Sequence, residues 1–325
     1  MACRTISDLG LHEHAAGDSR AAYYLLGACL VYEGIWCLYV GRPSYLPKSM
    51  LDVAAAQRNS KQHSDSPLLN AWVGLCIPMA EVTGILNSPS SAYPERASRL
   101  SELSTELSVW LEHLPPNLAY NDATVAEMEI GAYTLHMQYC RVRILLDQAL
   151  TLSSAGQHPS DNQTQAHRAA AYPNALRMAR LALTYKEIFG ADKLTSLMLD
   201  NIHLAVTYMV QHLLYQNSPD SSFDRDWKWI RSIVRALEAV EPHYPITKRM
   251  IGSLENMTDG TRLSNLLLSH SNSVFTETSA SNDERTTSGV QLPAVDDFWS
   301  VFGLDASSNS MILDSTQLLF PRLNV

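Results

Sequence analysis

The chain has 325 residues, of which 46% are hydrophobic and 18% are charged, a balance typical of a globular protein with a substantial core. Its net charge of −9, from 24 basic and 33 acidic residues, argues against free nucleic acid as a partner, because phosphate binding requires clustered positive charge. Five scattered cysteines without a CxxC pair indicate reduced thiols and offer no paired thiolates for zinc. The longest uncharged run, about 201–219, contains histidine, glutamine and asparagine, so we expect no membrane-spanning segment.

Apolar residues at helical spacing predict an all-α body that extends to about residue 270. Pro78 should kink one helix, and the Tyr172-Pro173 step should bend or divide another. The sequence TVAE at 124–127 matches a capping box and should begin a helix. No alternating β-branched pattern predicts a strand. The predicted helices cover about 20–40, 68–86, 94–114, 124–150, 166–189, 192–216, 223–240 and 246–269.

The composition changes after the helical body, which we place at 1–270. Residues 271–292 are rich in serine and threonine and predict a disordered linker. Residues 293–325 alternate acidic and apolar side chains, a pattern typical of segments that fold as a short helix in the groove of a coactivator. An end of the chain that folds back on the helical body would fit the same composition. The candidate partner-binding residues are Asp297, Phe298, Trp299, Phe302 and Leu304.

Signatures of catalysis are missing: the sequence contains no GxSxG, no GxGxxG after a strand, no Walker loop and no HExxH. His136 and Cys140 are four residues apart on a predicted helix and could share a metal, but a buried thiol beside a hydrogen-bonded histidine explains them better. We therefore predict no catalytic residue, no metal and no cofactor. An enzyme with a helical fold is a minor alternative.

The segment CLYVGRPSYLP at 37–47 places an arginine between two residues that interrupt helices. Gly41 can adopt the left-handed conformation that ends a helix, and Pro43 prevents the helix from resuming. We expect the Arg42 guanidinium to cover carbonyls at the helix end, or to reach Glu33 or Asp8. This structural role is favoured over an arginine that contacts a ligand.

Three stretches together resemble the fungal-specific transcription factor domain, the middle homology region of fungal zinc-cluster regulators. They are ACRTISDLGLH at 2–12, which includes Asp8 and Gly10, LGACLVYEGIWCLYVGRPSYLP at 26–47, and LHMQYCRVRILL at 135–146. Gly41, Arg42 and Pro43 match the family's turn directly, and Glu33 takes its acidic position. The resemblance covers about residues 2–150 and is greatest to regulators of the nitrate-assimilation type.

The resemblance implies a nuclear regulator of RNA polymerase II transcription, an activator with the transcription machinery or a coactivator as its partner. The family's six-cysteine zinc cluster is absent from this sequence, and family members have helices before the DLGLH segment. We therefore expect an N-terminally incomplete domain that does not bind DNA alone, with zinc only in the missing DNA-binding domain. The alternative is a helical interaction protein, or a truncated gene product, that acts through a full-length dimer partner.

Overall fold

A computed structural model of the protein describes residues 20–42, 44, 46–58, 66–87, 93–155, 161–215, 222–261 and 263. No strand occurs within these ranges, which confirms the all-α prediction. The helices are α1 (Arg20–Val40), α2 (Lys48–Arg58), α3 (Pro67–Asn87), α4 (Tyr93–Glu112), α5 (Ile130–Ala155), α6 (Asp161–Phe189), α7 (Ser196–Tyr215), α8 (Ser222–Val240) and α9 (Ile246–Thr258). The predicted linker 271–292 and segment 293–325 lie outside the described residues.

The predicted start of α5 is wrong. The Thr124 side chain forms no capping hydrogen bond, and residues Val125–Glu127 form a short 3-10 turn instead. The chain then becomes extended at Met128, and the α-helix begins at Ile130. The Tyr133 hydroxyl donates a hydrogen bond of 2.5 Å to the Val125 carbonyl, so the turn is anchored to the first part of α5.

Other helix ends also differ from the predicted ones. Helix α2 was not predicted, because its sequence KSMLDVAAAQR has few large apolar residues at helical spacing. Pro173 does not divide α6, which is continuous from Asp161 to Phe189. Helix α9 ends at Thr258 rather than near 269, and Gly260 follows with a positive φ of 67°. That glycine allows the chain to turn away from the helix axis.

Helix α5 lies at the centre of the fold. It packs against α3, α4, α6 and α7, and α7 in turn packs against α8 and α9. Every residue from 135 to 142 is buried, so this part of α5 has no face toward solvent. A helix enclosed in this way must satisfy each of its polar side chains inside the protein.

A smaller apolar cluster attaches α2 to the rest of the protein. Met50 and Ala54 of α2 are fully buried there against residues of α1 and α3. The members are Leu26, Cys29, Leu30, Leu46, Met50, Ala54 and Val73. Helix α2 is therefore held through this cluster, separately from the main core around α5.

The two helices that form the α1–α3 pair are also the most apolar candidates for crossing a membrane. Residues Arg20–Val40 and Pro67–Asn87 are long and apolar enough by length and composition, each with a mean hydropathy of 1.4. The fold buries 50% and 61% of these two windows. Core helices of soluble proteins have the same length and composition.

Four cysteines lie within the described residues, and all four are buried, reduced thiols, as the sequence predicts for them. Cys76 and Cys140 belong to the main core, and Cys29 belongs to the smaller cluster. Burial raises the pKa of the Cys140 thiol to about 12. Cys140 is therefore protonated at neutral pH, and all four thiols are shielded from solvent in the folded protein.

Three histidines have lowered pKa values in the folded protein, which predicts that the free energy of unfolding falls in mild acid. His136 is fully buried, and its Nε2 atom lies 2.6 Å from the Leu118 carbonyl oxygen. Burial, together with the Arg177 guanidinium, lowers the pKa of His136 below its usual value of about 6.5. Burial also lowers the pKa values of His203 and His212. The folded state thus keeps these rings neutral where the unfolded chain takes up protons.

We expect the free energy of unfolding to fall as the pH decreases below about 6.5, by at most about 1.4 kcal/mol per pH unit for each histidine that stays neutral. His136→Gln removes one such group and can keep a donor to Leu118, so it should reduce this pH dependence. Urea unfolding at several pH values measures it. His113→Gln, at an exposed position, is the control. An unchanged pH dependence in His136→Gln would contradict the prediction.

Candidate functional site

The turn after α1 is built as the sequence predicts. Gly41 has a positive φ of 65°, and the backbone N–H of Arg42 donates to the Cys37 carbonyl at 3.1 Å. This hydrogen bond joins residues five positions apart across a glycine in the left-handed conformation. It is the Schellman arrangement, which satisfies a carbonyl at the helix end. The turn therefore fixes where α1 stops and where the chain leaves it.

The Arg42 side chain neither covers the carbonyls at the end of α1 nor reaches Glu33, and the third expected contact, with Asp8, lies outside the described residues. The side chain is exposed and forms no hydrogen bond or ion pair with any described residue, so the helix end is capped by the Arg42 amide and not by its guanidinium. Glu33 is not paired with Arg42; its carboxylate accepts a 3.3 Å hydrogen bond from the Cys37 thiol. Asp8, Gly10, Pro43, Asp297, Phe298, Trp299, Phe302 and Leu304 lie outside the described residues.

An aromatic ladder, formed by Tyr32, Trp36 and Tyr39, follows one side of α1. The ring centroids of Tyr32 and Trp36 are 6.2 Å apart, those of Trp36 and Tyr39 are 6.0 Å apart, and both pairs are stacked. Trp36 is 38% exposed and Leu25, about three helical turns earlier, is 45% exposed. The ladder therefore extends from the protein surface toward the core.

The inner end of the ladder meets a buried ion pair. Arg141 of α5 forms an ion pair with Asp200 of α7, and each side chain is only 4% exposed. The Arg141 guanidinium also lies 5.7 Å from the centroid of the Tyr39 ring. Burial and the Asp200 carboxylate raise the pKa of Tyr39 above its usual range, so its phenol stays neutral.

Further polar side chains extend this site across the interior. Arg141 donates to the Asn201 side chain at 3.3 Å, and the Asn201 amide lies 3.5 Å from the Gln138 oxygen. On the next face of α7, the His203 Nε2 atom is 2.8 Å from the Ser253 hydroxyl of α9. The network therefore links α1, α5 and α7, and the separate contact between His203 and Ser253 joins α7 to α9. Such a fully buried charge pair orients the helices that contribute to it.

Sequence reasoning missed this network, although a signal was present. Arg141 is a charge within the apolar run HMQYCRVRILL, and Asp200 is a charge within SLMLDNIHLAV. A charged residue inside an otherwise buried helix requires a partner of opposite charge. Arg141 therefore predicts a buried acid elsewhere in the fold, and Asp200 predicts a buried base. The pairing itself spans 59 positions and depends on the tertiary fold.

No group of three or more metal-ligating side chains occurs among the residues that the structure describes. His136 uses Nε2 toward the Leu118 carbonyl, and Cys140 is a buried thiol with a raised pKa. His136 thus contacts a backbone carbonyl, and Cys140 belongs to the apolar core.

Comparison with known proteins finds a similarity to a fungal transcription factor. The chain is similar to the nitrogen assimilation transcription factor nit-4 of Neurospora crassa, with 23% identity over 284 residues. The similarity covers 78% of this chain and 24% of that protein, so the chain spans about a quarter of the relative's length. No protein-family model and no solved structure matches the chain. The similarity supports a relationship to a fungal transcription factor, in agreement with the resemblance of the three stretches above.

We expect Asp200→Asn to lower the free energy of unfolding by about 3–5 kcal/mol, because it leaves the buried Arg141 charge uncompensated. Urea unfolding followed by circular dichroism measures this. Asp122→Asn is the matched control: it removes a carboxylate that pairs with Arg180 but is 66% exposed, and should cost at most about 1 kcal/mol.

The double variant Arg141→Met with Asp200→Leu removes both charges and should recover most of the stability that Asp200→Asn loses. Asp200→Asn with stability close to that of the unsubstituted protein would show that the pair is not a required part of the core.

The α1 turn gives a second prediction. Gly41→Ala should lower the free energy of unfolding by about 1–2 kcal/mol, because a Cβ is unfavourable at positive φ. Arg42→Ala should change it by less than about 0.5 kcal/mol, since the amide that caps α1 is retained. Thermal and urea unfolding compare the two variants. An Arg42→Ala loss as large as that of Gly41→Ala would restore a structural role to the guanidinium.

Proposed function

We propose that this chain is the regulatory region of a fungal transcriptional regulator and acts in the nucleus through other proteins. The observation that supports this most directly is the similarity to nit-4, which extends over 78% of the chain. The all-α body and the acidic, aromatic composition of 293–325 agree with it. Because the sequence contains no catalytic signature, the proposal includes no enzymatic activity.

The proposed partner is the transcription machinery or a coactivator, contacted by the segment 293–314. Asp296 and Asp297 precede Phe298 and Trp299, and Phe302 follows four positions after Phe298. If the segment becomes helical on binding, this spacing places the aromatic rings on or near one face. The acidic residues at its start favour the positive end of the helix dipole and keep the free segment solvated.

The chain itself should not select a DNA sequence. Its five cysteines are too few for the six-cysteine cluster, and its acidic balance opposes phosphate binding. DNA recognition would then come from another domain or from a partner protein. This expectation determines the form of the experiment, in which a DNA-binding domain is supplied by fusion.

The full chain, and separately residues 293–314, fused to an unrelated DNA-binding domain should activate a reporter gene in fungal cells. Trp299→Ala with Phe302→Ala should abolish that activity, since a few large side chains usually dominate an interface. Ser307→Ala is the control and should leave the activity unchanged, and the unfused chain should be silent.

A silent full-chain fusion that is expressed and nuclear would overturn the proposed activation function. It would favour an interaction protein that acts through a full-length partner. Activation by the full chain that survives the double substitution would overturn only the assignment to 293–314.

A further inference from the structure

A cleft of about 690 Å³ lies between α2, α3 and the C-terminal part of α4. Its walls are mainly apolar and include Ile77, Val109, Trp110 and Leu114. Val109 is 46% exposed, so an apolar wall of the cleft faces solvent. This volume is in the range of sites that bind small organic molecules, about 300–1,000 Å³.

Among the residues that the structure describes, Arg58 lines the cleft without a counter-ion. Arg58, the last residue of α2, forms no ion pair with any residue that the structure describes. Glu106, which also lines the cleft, is paired with Arg99 at 2.9 Å, but Arg99 is shared with Glu81 and Glu102, so Glu106 keeps part of its negative charge. An anion in the cleft is therefore favoured beside the Arg58 guanidinium and away from Glu106.

The backbone of α3 is shaped to admit this arginine. Gly74 lines the cleft, and a Cβ at that position would collide with the Arg58 guanidinium and lie 2.9 Å from Trp110 Nε1. Pro78, which has no N–H, removes the helical donor for the Gly74 carbonyl on the same stretch of α3. Trp110 is fixed beside it, because its Nε1–H donates to the Ala71 carbonyl at 3.0 Å. The indole is therefore held at a defined position, and the absent side chain of Gly74 leaves space for the guanidinium beside it.

From this geometry we propose that the cleft binds a small amphiphilic anion, with a carboxylate or similar group on Arg58 and an apolar body between Ile77, Val109 and Trp110. The class follows from charge and shape: Arg58, which has no counter-ion within the described part of the chain, lies at one side, and most of the remaining wall is apolar. A bound molecule would contact α2 and α4 at once. It would thereby strengthen the attachment of α2, which otherwise depends on the smaller apolar cluster.

A matched pair of fluorescent probes tests the proposal on the full chain. The anion 1-anilinonaphthalene-8-sulfonate and the neutral N-phenyl-1-naphthylamine share the same rings and differ in the sulfonate. The anionic probe should bind with about tenfold higher affinity, because its sulfonate can accept a charge-assisted hydrogen bond from Arg58 that the neutral probe lacks. Decanoate should displace it more effectively than decan-1-ol.

Arg58→Met should reduce the affinity for the anionic probe about tenfold and leave the neutral probe unchanged, while Arg58→Lys should retain part of the preference. Arg249→Met, at an exposed arginine on α9, is the matched control and should change neither affinity. Val109→Glu adds a negative charge on the solvent-exposed wall and should also weaken the anionic probe. This second variant tests the cleft independently if Arg58→Met fails to fold.

Equal affinities for the two probes would overturn the proposal, as would a preference for the anion that both Arg58→Met and Val109→Glu leave intact. Neither result would bear on the transcriptional function, which the reporter fusion tests separately.

Discussion

The enclosure of α5 by its neighbours is the constraint on which the rest of the structure depends. Apolar packing alone would not fix how the surrounding helices rotate about α5, because burial of apolar surface has little directional preference. The polar side chains on α5 supply that direction. Arg141 requires an anion, and the structure provides Asp200 on α7. His136 and Tyr133 use backbone carbonyls of the segment before α5, at Leu118 and Val125.

These polar contacts distribute the stability unevenly. The α5–α7 contact combines a large apolar core with a buried charge pair, so its separation would expose both. Helix α2 is attached by a cluster of seven buried apolar residues, and no buried ion pair joins it to another helix in the described part of the chain. Local opening should therefore begin at α2 and reach α5 last. The cleft that we assign to an amphiphilic anion borders the helix with the weakest attachment.

Sequence reasoning was most successful where a local signal decides the structure. The bounds of α1 follow from a continuous apolar run that ends at Gly41, and the observed helix, Arg20–Val40, agrees with them. It failed where distant contacts decide. Thr124 has the residue type of a cap, but the Val125 carbonyl is bound by Tyr133 and the helix starts later.

The difference between local and distant signals also separates Arg42 from the two arginines whose side chains matter. Arg42 was singled out for its position between Gly41 and Pro43, yet only its backbone acts in the described structure. Arg141 and Arg58 act through their side chains, and neither stands in a local pattern that indicates this. Their roles depend on Asp200 and Gly74, which the fold brings close from other helices.

Because the thiols are buried, the reactivity of each cysteine reports the local unfolding of the structure around it. An alkylating reagent reacts with a thiolate that it can reach, so a buried cysteine is modified only after the surrounding structure has opened. Cys29 lies in the cluster that attaches α2, whereas Cys76 and Cys140 lie in the core around α5. The modification rate at Cys29 relative to the other two therefore separates the detachment of α2 from the unfolding of the core, without any label introduced from outside.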